Sequence, residues 1–211
     1  MSEYPKIETL YERDMDTFKV KPGVFRNPVY NLLKTWHWTE KINGTNIRCI
    51  WNPQLTTENL IFHGRTDAAE IHKDLMAHLQ NTVLSAKLFE VFSANQVVIY
   101  GEGYGAGIQK GGGDYSPTKK FIVFDILVDG KWWLSYKDMV DVVNKLGLDV
   151  VPSFGETSLE EATEYVRMGF LSRIAINPNK KAEGLVGRPA ETLFDKRGNR
   201  LIVKLKTKDF V

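Results

Sequence analysis

Apolar residues recur near helical spacing across Glu70–Phe92, at Ile71, Leu75, Leu79, Val83, Leu84, Leu88 and Val91, which predicts one long amphipathic helix there. A second helix is predicted over Ser135–Leu146, with Ser135 as its N-cap and Gly147 as its C′ residue. A third spans Ser158–Met168, where Ser158 and Glu161 have capping-box spacing and Gly169 follows.

The remaining apolar segments are short and rich in β-branched or aromatic residues: Ile47–Trp51, Val97–Tyr100, Phe121–Val128, Lys131–Leu134, Gly184–Val186 and Leu201–Leu205. Asp129-Gly130 suits a tight primed turn and predicts a hairpin. Strands and helices do not alternate regularly, so the expected class is α+β, with mainly antiparallel sheets flanked by helices. The start of the chain is polar and holds Pro5, Pro22 and Pro28, so residues 1–33 are expected to be irregular, capping something else. No composition break divides the chain, and residues 1–211 are read as a single domain.

Composition changes little in this picture. Hydrophobic residues make up 43% and charged residues 26%, as in ordinary globular proteins, and 211 residues can bury a core without staples. Cys49 is the sole cysteine, which excludes an internal disulfide and suits a reducing compartment. With no apolar run of bilayer length and no apolar signal core, no membrane association and a cytoplasmic location are expected. The formal charge of +2 does not announce nucleic acid, although Lys180 to Lys208 is locally basic.

Five segments could carry chemistry. Lys41 stands just before a strand, and Gly44 lets the backbone turn sharply after it; most lysines, however, are solvated charges. Tyr100–Gly113 has seven glycines in fourteen residues. It could bring backbone N–H groups to phosphates, or be a flexible surface loop. It fits neither the dinucleotide fingerprint nor a P-loop. Phe121–Ile126 reads as a buried strand in which Phe124 could instead be a stacking platform. Lys181–Val186 contains Glu183-Gly184. In Leu201–Lys206, alternation puts Leu201, Val203 and Leu205 on one face and Ile202, Lys204 and Lys206 on the other. Two lysines on one face could reach a polyphosphate, or guard an edge strand.

The order of these segments is more specific than any one of them. Lys-x-Asn-Gly, Gly-Glu, Phe-Asp, Glu-Gly and Lys-x-Lys together resemble the motif series of the covalent nucleotidyltransferases: DNA ligases, RNA ligases and mRNA capping enzymes. Within them, Glu40–Asn46, Gly105–Lys110 and Phe121–Ile126 resemble the RNA ligase 2 family of phage and RNA-editing ligases. The similarity covers residues 34 to 208. It implies the nucleotidyltransferase (adenylation) domain fold of these ligases. It also implies that Lys41 attacks ATP to form a lysyl-adenylate, which passes AMP to a 5′-phosphate for sealing by a 3′-hydroxyl. Glu40 and Ile42 would lie beside the nucleotide, Asn46 and Arg65 would contact phosphate or ribose, and Glu102 would bind the ribose hydroxyls. Phe124 would stack on adenine. Glu183 would place Mg²⁺ or Mn²⁺ and orient Lys41, and Lys204 and Lys206 would hold the phosphates. Such a concentration of positive charge is expected to depress the Lys41 pKa.

Nucleic acid, as RNA ends or a nicked duplex, is the partner this resemblance implies. Asn43 stands where these ligases commonly have histidine. Only five residues follow Lys206, too few for the second domain usual in the superfamily, which a separate protein could supply. The alternatives are a small DNA ligase, a guanylyltransferase of the capping type, and a nucleic-acid end-binding module without sealing activity.

Overall fold

The computed structural model describes residues 3–210, so Met1, Ser2 and Val211, the ends of the expected domain, lie outside the described residues. The described residues form two compact units, one of residues 3–5 and 43–151 and the other of residues 6–42 and 152–210.

The second unit is built on a five-stranded sheet. Its strands are β1 (Glu8–Thr9), β4 (Trp36–Glu40), β11 (Ser153–Thr157), β12 (Gly184–Arg188) and β13 (Val203–Lys206). Their order is β1-β13-β12-β4-β11, antiparallel except for the β1/β13 pair. One face is apolar: Trp36, Trp38, Leu185, Val203 and Leu205 pack with Leu159, Ala162 and Val166 of α4 (Leu159–Met168). The capping box at Ser158 and Glu161 forms, and Gly169 ends the helix with a φ of +77°.

Residues 1–33 are not irregular throughout. Besides β1, they contain the antiparallel pair β2 (Tyr11–Arg13) and β3 (Val20–Phe25), and a 3-10 turn over Pro28–Leu32. Leu10, Tyr11 and Tyr30 join the apolar cluster. Three buried side chains spaced so irregularly match neither helical nor strand periodicity.

In the first unit, β5 (Thr45–Trp51), β6 (Leu60–His63), β7 (Val97–Tyr104), β8 (Lys120–Val128), β9 (Trp132–Trp133) and β10 (Asp149–Val150) make a six-stranded sheet. The order is β10-β8-β7-β5-β6, with β9 on β8, and only β10/β8 is parallel. The expected hairpin forms, with Asp129 and Gly130 both at positive φ. Ile47, Cys49, Ile99, Phe121 and Val123 bury one sheet face against three helices: α1 (Lys73–Thr82), α2 (Ser85–Phe92) and α3 (Tyr136–Leu146).

The single helix expected over Glu70–Phe92 is therefore two. The chain extends at Val83 and Leu84, whose ψ values are 101° and 130°. An uninterrupted helix would carry Leu88 about 220° round from Leu75, away from the core. The break returns Leu88 and Phe92 to the cluster that holds Leu75, Leu79 and Val83. Helix α3 keeps its expected ends, with Ser135 accepting from the Asp138 amide and Gly147 left-handed.

Two strands in this unit carry features that periodicity did not show. Gly101 and Gly103 belong to β7 rather than to a loop, because close packing on the helix side needs them. A Cβ at Gly101 would meet the Phe121 ring at 2.3 Å, and one at Gly103 would meet Leu75 at 2.3 Å. In β8 the ladder slips by one residue: Tyr100 pairs with Asp125 but Gly101 pairs with Val123, leaving Phe124 as the extra residue of a β-bulge.

Candidate nucleotidyl-transfer site

Lys41 directly follows β4, and its backbone is placed by the sheet: its amide donates to Gly184 O at 2.9 Å, and the Glu40 amide donates to Pro152 O at 3.0 Å. Glu183 directly precedes β12. Gly184 allows the close approach that brings this carboxylate in, since a Cβ there would lie 1.9 Å from Leu205 O. The register puts Gly184 opposite Lys206, and Val186 opposite both Lys204 and Thr39.

Lys41, Glu183 and Lys206 consequently meet. Lys41 Nζ donates to Glu183 Oε2 at 2.6 Å, and Lys206 Nζ donates to Glu183 Oε1 at 2.6 Å. All three side chains are mostly buried. Burial pushes the Glu183 carboxyl up, but the Lys41 charge and the hydrogen bonds from both lysines outweigh it and hold it below the usual range. Lys204 lies on the same sheet face, since Val203 and Leu205 point into the apolar cluster. Burial first, then the charges of Lys206 and Lys41, lowers its ammonium to about 8.

Glu40 is 2% exposed, and its carboxylate accepts from Ser172 Oγ and from the Arg173 amide. Burial raises its pKa against those two hydrogen bonds. Its side chain therefore fastens the 172–173 segment beside β4. Ile42 is buried.

On the first unit, Asn46 and Glu102 are direct partners across the β5/β7 ladder. Both lie on the face opposite the helices, and Asn46 Oδ1 is buried without a hydrogen-bond partner among the described residues, an acceptor that a ligand donor would satisfy. Gly44 is required here: a Cβ would fall 2.2 Å from Gly103 O and 2.8 Å from Glu102 Cγ. Gln109 Nε2 donates to Gly44 O at 3.1 Å, so the Gly-Ile-Gln-Lys stretch braces the loop after Lys41. Phe124, at the bulge, is half-buried. Arg65 is exposed in the turn after β6.

Sequence reasoning missed Arg48. It is fully buried in β5, and donates from Nε to Gly64 O at 2.9 Å and from Nη2 to Asp67 Oδ1 at 2.6 Å. It thereby fixes the turn that carries Arg65. An arginine inside an apolar strand was the available signal, because a cation is rarely buried without partners.

A lysine held by a carboxylate, with further lysines on the same strand face, makes a candidate site on an α+β frame. Residues 34–206 match the RNA ligase family, and the chain belongs to that family. Solved structures of Naegleria gruberi RNA ligase share the fold. A mutant with ATP and Mn superposes with a TM-score of 0.63 at 19% identity, covering 98% of this chain and 62% of that one. A mutant with AMP and Mn gives 0.66 at 16%, and the form with PPi gives 0.63 at 18%, with the same coverage of 98% and 62%. The chain thus spans about 62% of the length of the proteins it resembles. Comparison with curated proteins found no match.

Proposed function

We propose that this chain is an ATP-dependent polynucleotide ligase acting on RNA ends or nicked duplexes. The observation that carries the reading is the Lys41–Glu183–Lys206 cluster, with Lys204 on the same face. Lys41 gives up one proton to solvent, its free amine attacks the α-phosphorus of ATP, a P–N bond forms as the bond to pyrophosphate breaks, and the nitrogen then loses a second proton to solvent. AMP then passes to a 5′-phosphate, and a 3′-hydroxyl displaces it as the phosphodiester forms.

Nucleotidyl transfer needs positioning and charge neutralisation above all. Lys204 and Lys206 supply that charge to the phosphates. Glu183, held low, is a poor base, so its part is to aim Lys41. Phe124 stacks on the base, Glu102 holds the ribose hydroxyls, Asn46 and Arg65 contact phosphate or ribose, and Glu40 and Ile42 flank the nucleotide through the backbone.

Among the described residues no cluster of three acidic, histidine or cysteine side chains forms. Glu183 offers one carboxylate arm, which fits Mg²⁺ or Mn²⁺ completed by phosphate oxygens and water. Such an ion would neutralise charge on the phosphates. The family match runs through both units, so we read them as one adenylyltransferase domain. Among the described residues no helix is long and apolar enough to cross a membrane. A cytoplasmic location suits the lone thiol of Cys49.

The test is incubation with α-labelled ATP and Mg²⁺ or Mn²⁺, for wild type and Lys41→Ala. Covalent AMP on wild type alone supports the reading; none on wild type, or AMP retained by the variant, overturns it. Nicked substrates with ribose or deoxyribose 3′ ends then separate RNA from DNA sealing.

A further inference from the structure

The bulge in β8 leaves Phe124 outside the regular ladder, so pairing alone does not set where its ring points. Something else must hold it. Tyr4, thirty residues before the family match begins, lies against both bulge residues. Its ring meets Phe124 edge-on, with centroids 5.0 Å apart and planes at 75°. Its hydroxyl donates to Asp125 Oδ2 at 2.7 Å, and Asp125 is fully buried. Asp125 Oδ1 in turn accepts from the Ile126 amide. Tyr100 and Trp133, stacked on each other at 5.5 Å, complete the cluster, each within 6 Å of the Tyr4 ring.

We infer that Tyr4 is a positioning residue for the nucleotide base, acting through Phe124. This rests on the reading of Phe124 as the stacking residue. A short hydrogen bond in a dry site is strong and directional, so the hydroxyl fixes where the Tyr4 ring sits. The ring then limits the orientations of Phe124, and stacking a purine on it costs less ordering. The polar start of the chain thereby becomes part of the nucleotide site although it touches no phosphate. The substrate feature it serves is the adenine ring.

The test measures covalent AMP formation against ATP concentration for wild type, Tyr4→Phe and Tyr4→Leu. We expect KM for ATP to rise about tenfold in Tyr4→Leu and about threefold in Tyr4→Phe, with kcat within about threefold of wild type. Wild-type KM in both variants, or a fall in kcat at unchanged KM, overturns the inference. Should Tyr4→Leu fail to fold, Tyr4→Phe decides, because it keeps the ring. If wild type takes no AMP, the ligase reading fails separately. ATP affinity by calorimetry then decides: weaker binding by the variants supports the positioning role, and equal binding overturns it.

Discussion

Lys41 and Glu183 lie 142 residues apart in sequence and 2.6 Å apart in space. With Lys206 on the other oxygen of the same carboxylate, one acid balances two ammonium groups. Removing that acid leaves two mostly buried cations facing each other.

Glu183→Gln should therefore reduce AMP attachment about 100-fold or more, measured as labelled protein at saturating ATP. It should also lower the unfolding free energy at pH 7 by about 1–3 kcal/mol. The Glu183 pKa is depressed on folding, so its stabilisation is complete above the ordinary 4.5 and is lost as pH falls through the lower folded value. Urea unfolding of wild type and variant should converge in that acid range. A gap that stays constant down to pH 3 would sink this account.

Lys204 has the opposite sign. Its pKa falls from 10.5 to about 8 on folding, so between those values the unfolded chain binds more protons and stability rises with pH. Lys204→Gln should remove that rise and, after allowing for solvent screening, stabilise the protein at pH 7 by about 1–2 kcal/mol. Chemical denaturation at pH 7, 9 and 10.5 checks both statements.

The same residue should matter for activity. Lys204→Ala should weaken AMP attachment far more than Lys208→Ala, by about tenfold or greater, because Lys208 is exposed in the 3-10 turn after β13. Equal losses in the labelling assay would show that the strand face is not what counts.

Gly44→Ala should fail through space. Its Cβ would fall 2.2 Å from the Gly103 carbonyl, so one strand must yield, at about 1–3 kcal/mol, and Glu102 moves with it. Gln109→Ala, which only removes a hydrogen bond, should cost about 1 kcal/mol and slow AMP attachment less than Gly44→Ala. Thermal melts alongside labelling rank the two.

Much of this was legible in the chain. Ser135, Gly147, Ser158 and Glu161 marked α3 and α4 because caps are local chemistry, decided by residues a turn apart. Lys204 and Lys206 fell on the expected face because strand alternation is local too. The α1/α2 break escaped because neither Gly nor Pro marks it; the core imposes it on Val83 and Leu84. Strand β4 was missed because its pattern reads through its neighbours: Trp36 and Trp38 are core, while the buried Glu40 carboxylate is met by Ser172 and Arg173, over 130 residues away. The pairing of Lys41 with Glu183 rested on motif order alone, since no local rule joins residues so far apart. Tyr4 had no such signal.

The bulge in β8 sets one residue apart from the rest of its strand. Without Phe124, the run Phe121, Ile122, Val123, Asp125, Ile126, Leu127, Val128 alternates without interruption. Phe121, Val123, Ile126 and Val128 then all point toward the helices, as they do now. Phe124 is thus one residue more than the strand needs as a piece of architecture. Excising that residue should leave a protein that folds as before and, on the proposed reading of Phe124, binds ATP more weakly.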